Sequence, residues 1–287
     1  MKLYKFENFL SNNSFIFIMR KEEIIKYYEK YIEEKRLIKD PYHQIEFIIT
    51  LYFLDKFLPK GRKLILDAGG GTGRYSLELA KRGYNVILLD LVPKHIKIAR
   101  ELVKKNKLNN KIKCVIGSIT DLNSFRNEEF DAILCLGGTL SHLTELYKIK
   151  RAIKEFTRIT KNGAPIFISV IGKYGVAQYK LRYKPKEIKY LNPIVRTGRN
   201  IPKYGFTSTH FFSGKEIENL FIENNLKILD KVGLEGLSSN FQEETNILHK
   251  NKALRNVWIN ILKKTANDPT AYGASLHFMI IGKKNKD

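Results

Sequence analysis

Asp67-Ala68-Gly69-Gly70-Gly71-Thr72-Gly73-Arg74-Tyr75 is the stretch on which the fold turns. Ahead of it, the apolar run Lys63-Leu64-Ile65-Leu66 has the length of a strand. Behind it, Arg74 to Arg82 is patterned as a helix and stops at Gly83, the residue type that commonly closes one. Glycines between a strand and a helix allow a sharp turn and let a ligand touch the main chain. The next strand, Asn85 to Asp90, ends in a carboxylate 17 residues beyond Gly73, where ribose hydroxyls can donate to it.

Outward from this turn the alternation continues. Pro93 to Lys105 is predicted as a helix with proline in its first turn. Ile112 to Ile116, Phe130 to Leu136 and Pro165 to Ile171 are predicted strands, with a helix from about Thr144 to Thr160 between the last two. Short apolar runs alternating with longer amphipathic ones predict an α/β fold, a mostly parallel sheet with helices on both faces. Residues 172–205 break the rhythm with nine Lys or Arg against one Glu and five tyrosines. They are expected to form a basic insertion (172–210) over the functional edge of the sheet. A helix from Gly214 to Asn224, a strand from Leu226 to about Val232, a helical stretch to about Lys264 and a strand from Ser275 to Gly282 follow, and the two strands are expected to pair antiparallel.

Upstream, residues 20–39 read as one amphipathic helix and Tyr42 to about Leu58 as another, separated by Pro41. Together, 19–60 are expected to form an N-terminal helical cap on one domain spanning 61–287. Residues 1–18 are expected to be a loose tail or an extension ahead of a true start at Met19.

Spacing narrows the ligand. A dinucleotide loop needs G-x-G-x-x-G, but Arg74 or Ser76 occupies its last position, and no window supplies a phosphate loop. What remains is D-x-G-x-G-x-G across Asp67, Gly69, Gly71 and Gly73. A carboxylate beside the glycines suits a ligand carrying an ammonium and a sulfonium and disfavours a pyrophosphate.

Leu66 to Asp90 resembles the first motifs of the class I S-adenosylmethionine-dependent methyltransferases. Gly117-Ser118-Ile119-Thr120-Asp121-Leu122, Phe130 to Gly138, and Arg158-Ile159-Thr160-Lys161-Asn162-Gly163 are similar to its later ones. The resemblance implies a seven-stranded sheet with the last strand antiparallel, and S-adenosylmethionine as cofactor. It implies that Asp67, Gly69 and Gly71 line the methionine part and that Asp90 holds the ribose. Leu91 would then pack on the adenine, Ile119 offer its backbone to the adenine edge, and Leu136 and Gly137 floor the sulfur. Ser118 stands where the family often has an acid, with Asp121 as a substitute. Arg74, directly after the loop, either clamps a carboxylate bidentately or is a surface residue of the first helical turn.

Methyl transfer from a sulfonium is an in-line displacement that needs alignment above all. Where a base is required, histidine is the usual group. His142, after the fourth strand, and His210, after the basic segment, are the candidates for base or substrate contact. His43 is placed on the cap helix, and His95, His249 and His277 are read as structural. Cys114 and Cys135 lie within strands and in no metal-ligand spacing, so no metal site is expected. Carbon-directed RNA methylation of the cysteine type needs an exposed Cys after strand four, whereas Cys135 lies inside it. The Asn/Asp-Pro-Pro-aromatic motif of amino-adenine methylation is absent, so oxygen or nitrogen acceptors remain.

The charge, 51 Lys+Arg against 29 Asp+Glu or +22, fits either a polyanionic partner or a general compositional preference for Lys, Ile, Asn and Tyr. No run is apolar enough to cross a bilayer, and a cytoplasmic protein is expected. The aromatic caps favour a small-molecule acceptor. RNA, held by the tyrosine-interleaved segment 173–203, is the rival, and a cofactor-binding protein without turnover is the third reading.

Overall fold

The computed structural model describes residues 22–204 and 206–285. The expectations for residues 1–18 and for a start at Met19 fall outside them. Residues 22–30 form α1 and Pro41–Phe57 form α2. The α/β core then runs β1 (Leu64–Ala68), α3 (Arg74–Lys81), β2 (Asn85–Asp90), α4 (Pro93–Lys105), β3 (Ile112–Ile116), β4 (Ala132–Cys135), α5 (Leu146–Ile159) and β5 (Pro165–Ile171). After it come α6 (Lys173–Tyr183), α7 (Leu191–Thr197), β6 (Arg199–Asn200), β7 (Thr209–His210), α8 (Gly214–Glu223) and β8 (Leu226–Gly233). Finally come α9 (Gln242–Leu248), α10 (Lys252–Thr265), α11 (Pro269–Ala274) and β9 (His277–Lys284).

The main sheet has seven strands in the order β3-β2-β1-β4-β5-β9-β8, parallel from β3 to β5. β9 is antiparallel to both of its neighbours and lies between β5 and β8, so β8 forms the edge. The direction of winding reverses at β1, which has β2 on one side and β4 on the other. That is the topological switch point, where the C-terminal ends of strands open a crevice for ligands.

Two apolar layers clamp the sheet. In β4, Ala132 and Leu134 face the layer that includes Ile49 and Phe53 of α2. Ile133 and Cys135 face the layer built on Ile149, Ile153 and Phe156 of α5. The period of two along a strand sorts neighbouring residues into opposite cores.

Three elements differ from the sequence reading. The helix expected over 20–39 breaks after residue 30, and Glu33–Lys35 form a short 3₁₀ turn. The reason is tertiary: Arg36 is drawn down onto Glu46 of α2 at 2.7 Å, which a continuous helix would not allow. The 172–205 stretch contains α6 and α7, with Ile194, Val176 and Phe211 packing on Ile171 as a third apolar cluster. The fourth strand is shorter than Phe130 to Leu136, because Phe130 makes only an isolated bridge to Thr160.

Local signals explain several boundaries. Asp40 caps α2 by accepting the His43 amide at 3.0 Å, and Pro41 needs no hydrogen-bond acceptor in the first turn. Ser213 and Glu216 form a reciprocal capping box that starts α8.

Candidate functional site

The glycine turn is pinned before it meets any ligand. The Gly69 and Gly70 amides both donate to the Leu89 carbonyl, at 2.6 and 3.2 Å, and the Thr139 hydroxyl donates to the Gly69 carbonyl at 3.1 Å. The turn after β1 is thereby tied to the end of β2 and to the turn after β4. Gly69 has φ +76°, and a Cβ there would sit 2.2 Å from Thr139 Cγ2.

Asp67 and Asp90 stand on either side of this turn. Asp90, 7 % exposed, accepts the Gly71 amide on Oδ2 at 2.8 Å and the Val92 amide on Oδ1 at 2.9 Å. The His95 ring Nδ1 is 3.1 Å from the same Oδ1. Asp67, 1 % exposed, accepts the Ser76 hydroxyl at 2.7 Å and is also bonded by the Ser76 amide. Burial, reinforced by the nearby Asp90 charge, pushes its carboxyl up to about 6. No cation pairs with it among the described residues.

Ten of the eleven residues expected at a cofactor line one cleft: Asp67, Gly69, Gly71, Arg74, Asp90 and Leu91, with Ser118, Ile119, Leu136 and Gly137 opposite. Gly73 does not. It caps α3 with φ +88°, and a Cβ there would lie 2.7 Å from Leu88 Cδ1, so its glycine serves the helix–strand packing instead of a ligand. Arg74 lines the cleft, but its guanidinium donates to the Glu34 carbonyl at 2.7 Å, fastening the cap to the loop. Ser118 Oγ is 2.9 Å from Thr120 Oγ1, and Asp121 is exposed and outside the cleft.

Motif reading had no means of finding the cleft's other wall. Tyr28, Glu33 and Arg36 reach it from the cap, and His95, read as structural, lines it beside Asp90. Arg36 is partly buried and bridges Glu33 (2.9 Å) and Glu46 (2.7 Å). Those carboxylates outweigh the cost of burial and hold its charge firmly. Only the proline signal at 41 hints that the cap folds back.

A second, larger cavity adjoins the first and shares Tyr28, Glu33, Arg36, Gly137 and His142 with it. At that common wall His142 Nε2 lies 2.9 Å from the Tyr28 hydroxyl, while Nδ1 is buried with no partner among the described residues. Burial holds His142 down to about 4, so the ring is neutral near pH 7. Tyr27, Tyr28, Tyr31, Phe206 and the His142 ring contact one another as one aromatic group. His210 lines neither cavity: it sits in β7 with Nε2 2.5 Å from Glu216 of α8. His210, expected as a base or substrate contact, is thus held by the glutamate of the α8 capping box, outside both cavities.

Residues 65–163 match the family model described as a methyltransferase domain. The stretch from β1 to the turn before β5 is therefore similar to a methyltransferase domain. Among curated relatives, it is 28% identical over 118 residues to the glycine/sarcosine/dimethylglycine N-methyltransferase of Actinopolyspora halophila, covering 41% of this chain and 20% of that one. It is 28% identical over 156 residues to the ubiquinone biosynthesis O-methyltransferase of Xylella fastidiosa, covering 52% of this chain and 61% of that one. The chain thus spans about a fifth to three fifths of the length of these relatives. A solved S-adenosylmethionine-dependent methyltransferase from Methanosarcina mazei superposes with a TM-score of 0.55 at 24% identity, covering 80% of this chain and 96% of that one. That likeness speaks to the fold.

The methyltransferase cleft fits S-adenosylmethionine chemically. Asp67 is a buried carboxyl short of a cation, which an α-ammonium supplies, and Gly69 keeps its turn free of a Cβ. Leu91, Ile119 and Leu143 provide apolar surface. One cluster with metal-ligand chemistry occurs among the described residues, Glu46, Glu235 and His277. Its charges are already matched: Glu46 by Arg36, and Glu235 by His277 Nδ1 at 2.6 Å.

Proposed function

We propose that this protein methylates an oxygen or nitrogen of a small molecule held in the second cavity. The observation that carries the reading is the common wall of Tyr28, Gly137 and His142 between the cleft and a cavity large enough for a compact acceptor. Bound S-adenosylmethionine supplies an electrophilic methyl on a sulfonium. Asp67 and Asp90 orient the donor from either side of the glycine turn, and Leu136 and Gly137 border its reacting end. The cap, tied down through Arg74 and Arg36, excludes water. Such alignment is worth effective molarities of about 10⁵–10⁸ M in favourable cases. His142, neutral and with a ring nitrogen unspoken for, accepts the acceptor's proton where one must leave, and Tyr28 fixes its ring. The activities of the two curated relatives, one an N- and one an O-methyltransferase, support a small acceptor.

RNA is the second reading, resting on the basic segment after β5. Three of its nine basic residues are committed internally. Lys173 is buried, Lys180 bonds Glu187 and the Tyr204 carbonyl, and Arg182 pairs with Glu244.

Calorimetry with S-adenosylmethionine tests the first step, and loss of uptake in Asp67→Ala and Asp90→Ala is expected. Methyl-labelled donor added with a fractionated cell extract tests the second. Label entering the small-molecule fraction is expected; label confined to RNA, with binding that falls steeply with salt, would overturn the reading.

A further inference from the structure

His277 closes β9 against the second cavity, at a place that the methyl-transfer reading does not use. Its Nδ1 is 2.6 Å from Glu235 Oε1. The other Glu235 oxygen accepts the His277 amide at 2.7 Å and the Ser275 hydroxyl at 3.0 Å. Glu235 is buried, and its carboxylate holds both the ring and the backbone amide of His277. With Nδ1 engaged, Nε2 is the ring nitrogen that has no protein partner among the described residues, and His277 lines the cavity. It borders only this cavity, whereas His142 borders both.

The charges around the cavity decide what such a nitrogen meets. Its carboxylates are all answered: Glu33 and Glu46 share Arg36, Lys180 takes Glu187, and His277 takes Glu235. Lys39 and Lys184 line the same space and pair with no carboxylate within 4 Å among the described residues. An amine entering here finds no uncommitted acid, while an anion finds two free ammonium groups and a ring N–H. Glu235 and Glu46 also favour the protonated ring, against the opposing effects of burial and Arg36.

We propose that the Glu235–His277 pair is the acceptor-recognition end of the second cavity, with His277 Nε2 donating to an anionic group, a carboxylate or phosphate, carried by the methyl acceptor. The inference rests on the proposed function and names its substrate class: a small anionic molecule whose methylated oxygen or nitrogen lies beside His142, at the wall shared with the donor cleft. The aromatic group of Tyr27, Tyr28, Tyr31 and Phe206 beside that wall suits a planar body. Glu235 acts through His277 and is a positioning residue.

The test uses three probes of one shape, benzoate, benzamide and benzylamine, with phenyl phosphate as a fourth. Each is titrated into the full-length protein with S-adenosylmethionine present, and binding is followed by ligand-observed nuclear magnetic resonance. Benzoate or phenyl phosphate is expected to bind at least 10-fold tighter than the neutral and cationic probes, and the tighter of the two anions identifies the group. His277→Asn is expected to abolish the preference, and Glu235→Gln to weaken it. Donor affinity should stay within twofold of wild type in both, which separates loss of recognition from misfolding. His277→Gln provides a second variant should the first fold poorly. No detectable anion binding at millimolar concentration, tighter binding of benzylamine, or a preference that survives in a folded His277 variant would each overturn the proposal. Failure of the methyl-transfer reading shows separately, as absence of donor uptake by the wild-type protein.

Discussion

Asp67 shows how a single residue can be ready for a ligand at the expense of the free protein. Its carboxyl is pushed up to about 6 by burial, against about 3.9 for an unfolded aspartate. A raised folded value means that its stabilising contribution is present at low pH and is lost as pH rises through about 6. The shift corresponds to roughly 3 kcal/mol at neutral pH. Asp67→Asn keeps an acceptor for Ser76 and removes the charge. It should therefore melt higher than wild type at pH 8 and by about half that margin at pH 5, where the unfolded carboxyl is already largely ionised, while its affinity for S-adenosylmethionine falls by 10-fold or more. Thermal melts at the two pH values and calorimetry check both. Equal melting at pH 8 would contradict the burial argument.

His142 makes the opposite case. Burial depresses it to about 4, so its neutral form persists through the physiological range. Turnover that depends on the neutral ring should stay level from pH 8 to 6 and decline only as pH approaches 4. Tyr28→Phe, which removes the hydroxyl 2.9 Å from Nε2, is expected to lower kcat about 10-fold or more with donor affinity retained. A pH–rate profile and a KM-against-kcat comparison measure these effects.

Among elements, the turn between α1 and α2 carries the most consequence for its size. Arg36 is its anchor, and its guanidinium neutralises Glu46, which is itself 4 % exposed. Arg36→Met leaves that carboxylate buried beside His277 alone, and removing one partner of a buried pair costs about 3–5 kcal/mol. Urea denaturation should show a loss of that size together with a weaker grip on the donor, because the same turn roofs the cleft. The start of α8 is a smaller feature. Ser213→Ala removes one half of its capping box and should cost about 0.5–2 kcal/mol, with little effect on donor binding. Elements of this kind differ in how far the sequence announces them. Ser213 and Glu216 carry their box in plain spacing, as Asp40 and Pro41 carry the start of α2. The break after residue 30 has no such signal, because local propensity favours a longer helix there and a contact with α2 overrides it.

For the whole molecule, the cleft joins the cap to the glycine turn, so a bound donor should act as a brace across both. Ligand at 100 times its Kd stabilises by about 2.7 kcal/mol. For a chain of this size that corresponds to a rise in Tm of about 5 °C. Differential scanning fluorimetry with and without S-adenosylmethionine reads it directly, and an unchanged Tm would count against a closed cap.

The sequence alone determined the α/β core. The strand–glycine–helix turn, the carboxylates Asp67 and Asp90, and the alternation to Ile171 are local patterns, set by backbone sterics and by the period of apolar residues. The tertiary structure decided the rest. It set β9 between β5 and β8, left Gly73 and His210 outside the two cavities, and brought Tyr28, Arg36 and His277 to their walls. These residues are far apart along the chain and carry no shared spacing. Only the folding of separate segments onto the reversal point of one sheet, where strand ends leave backbone and side chains facing a common crevice, makes them neighbours.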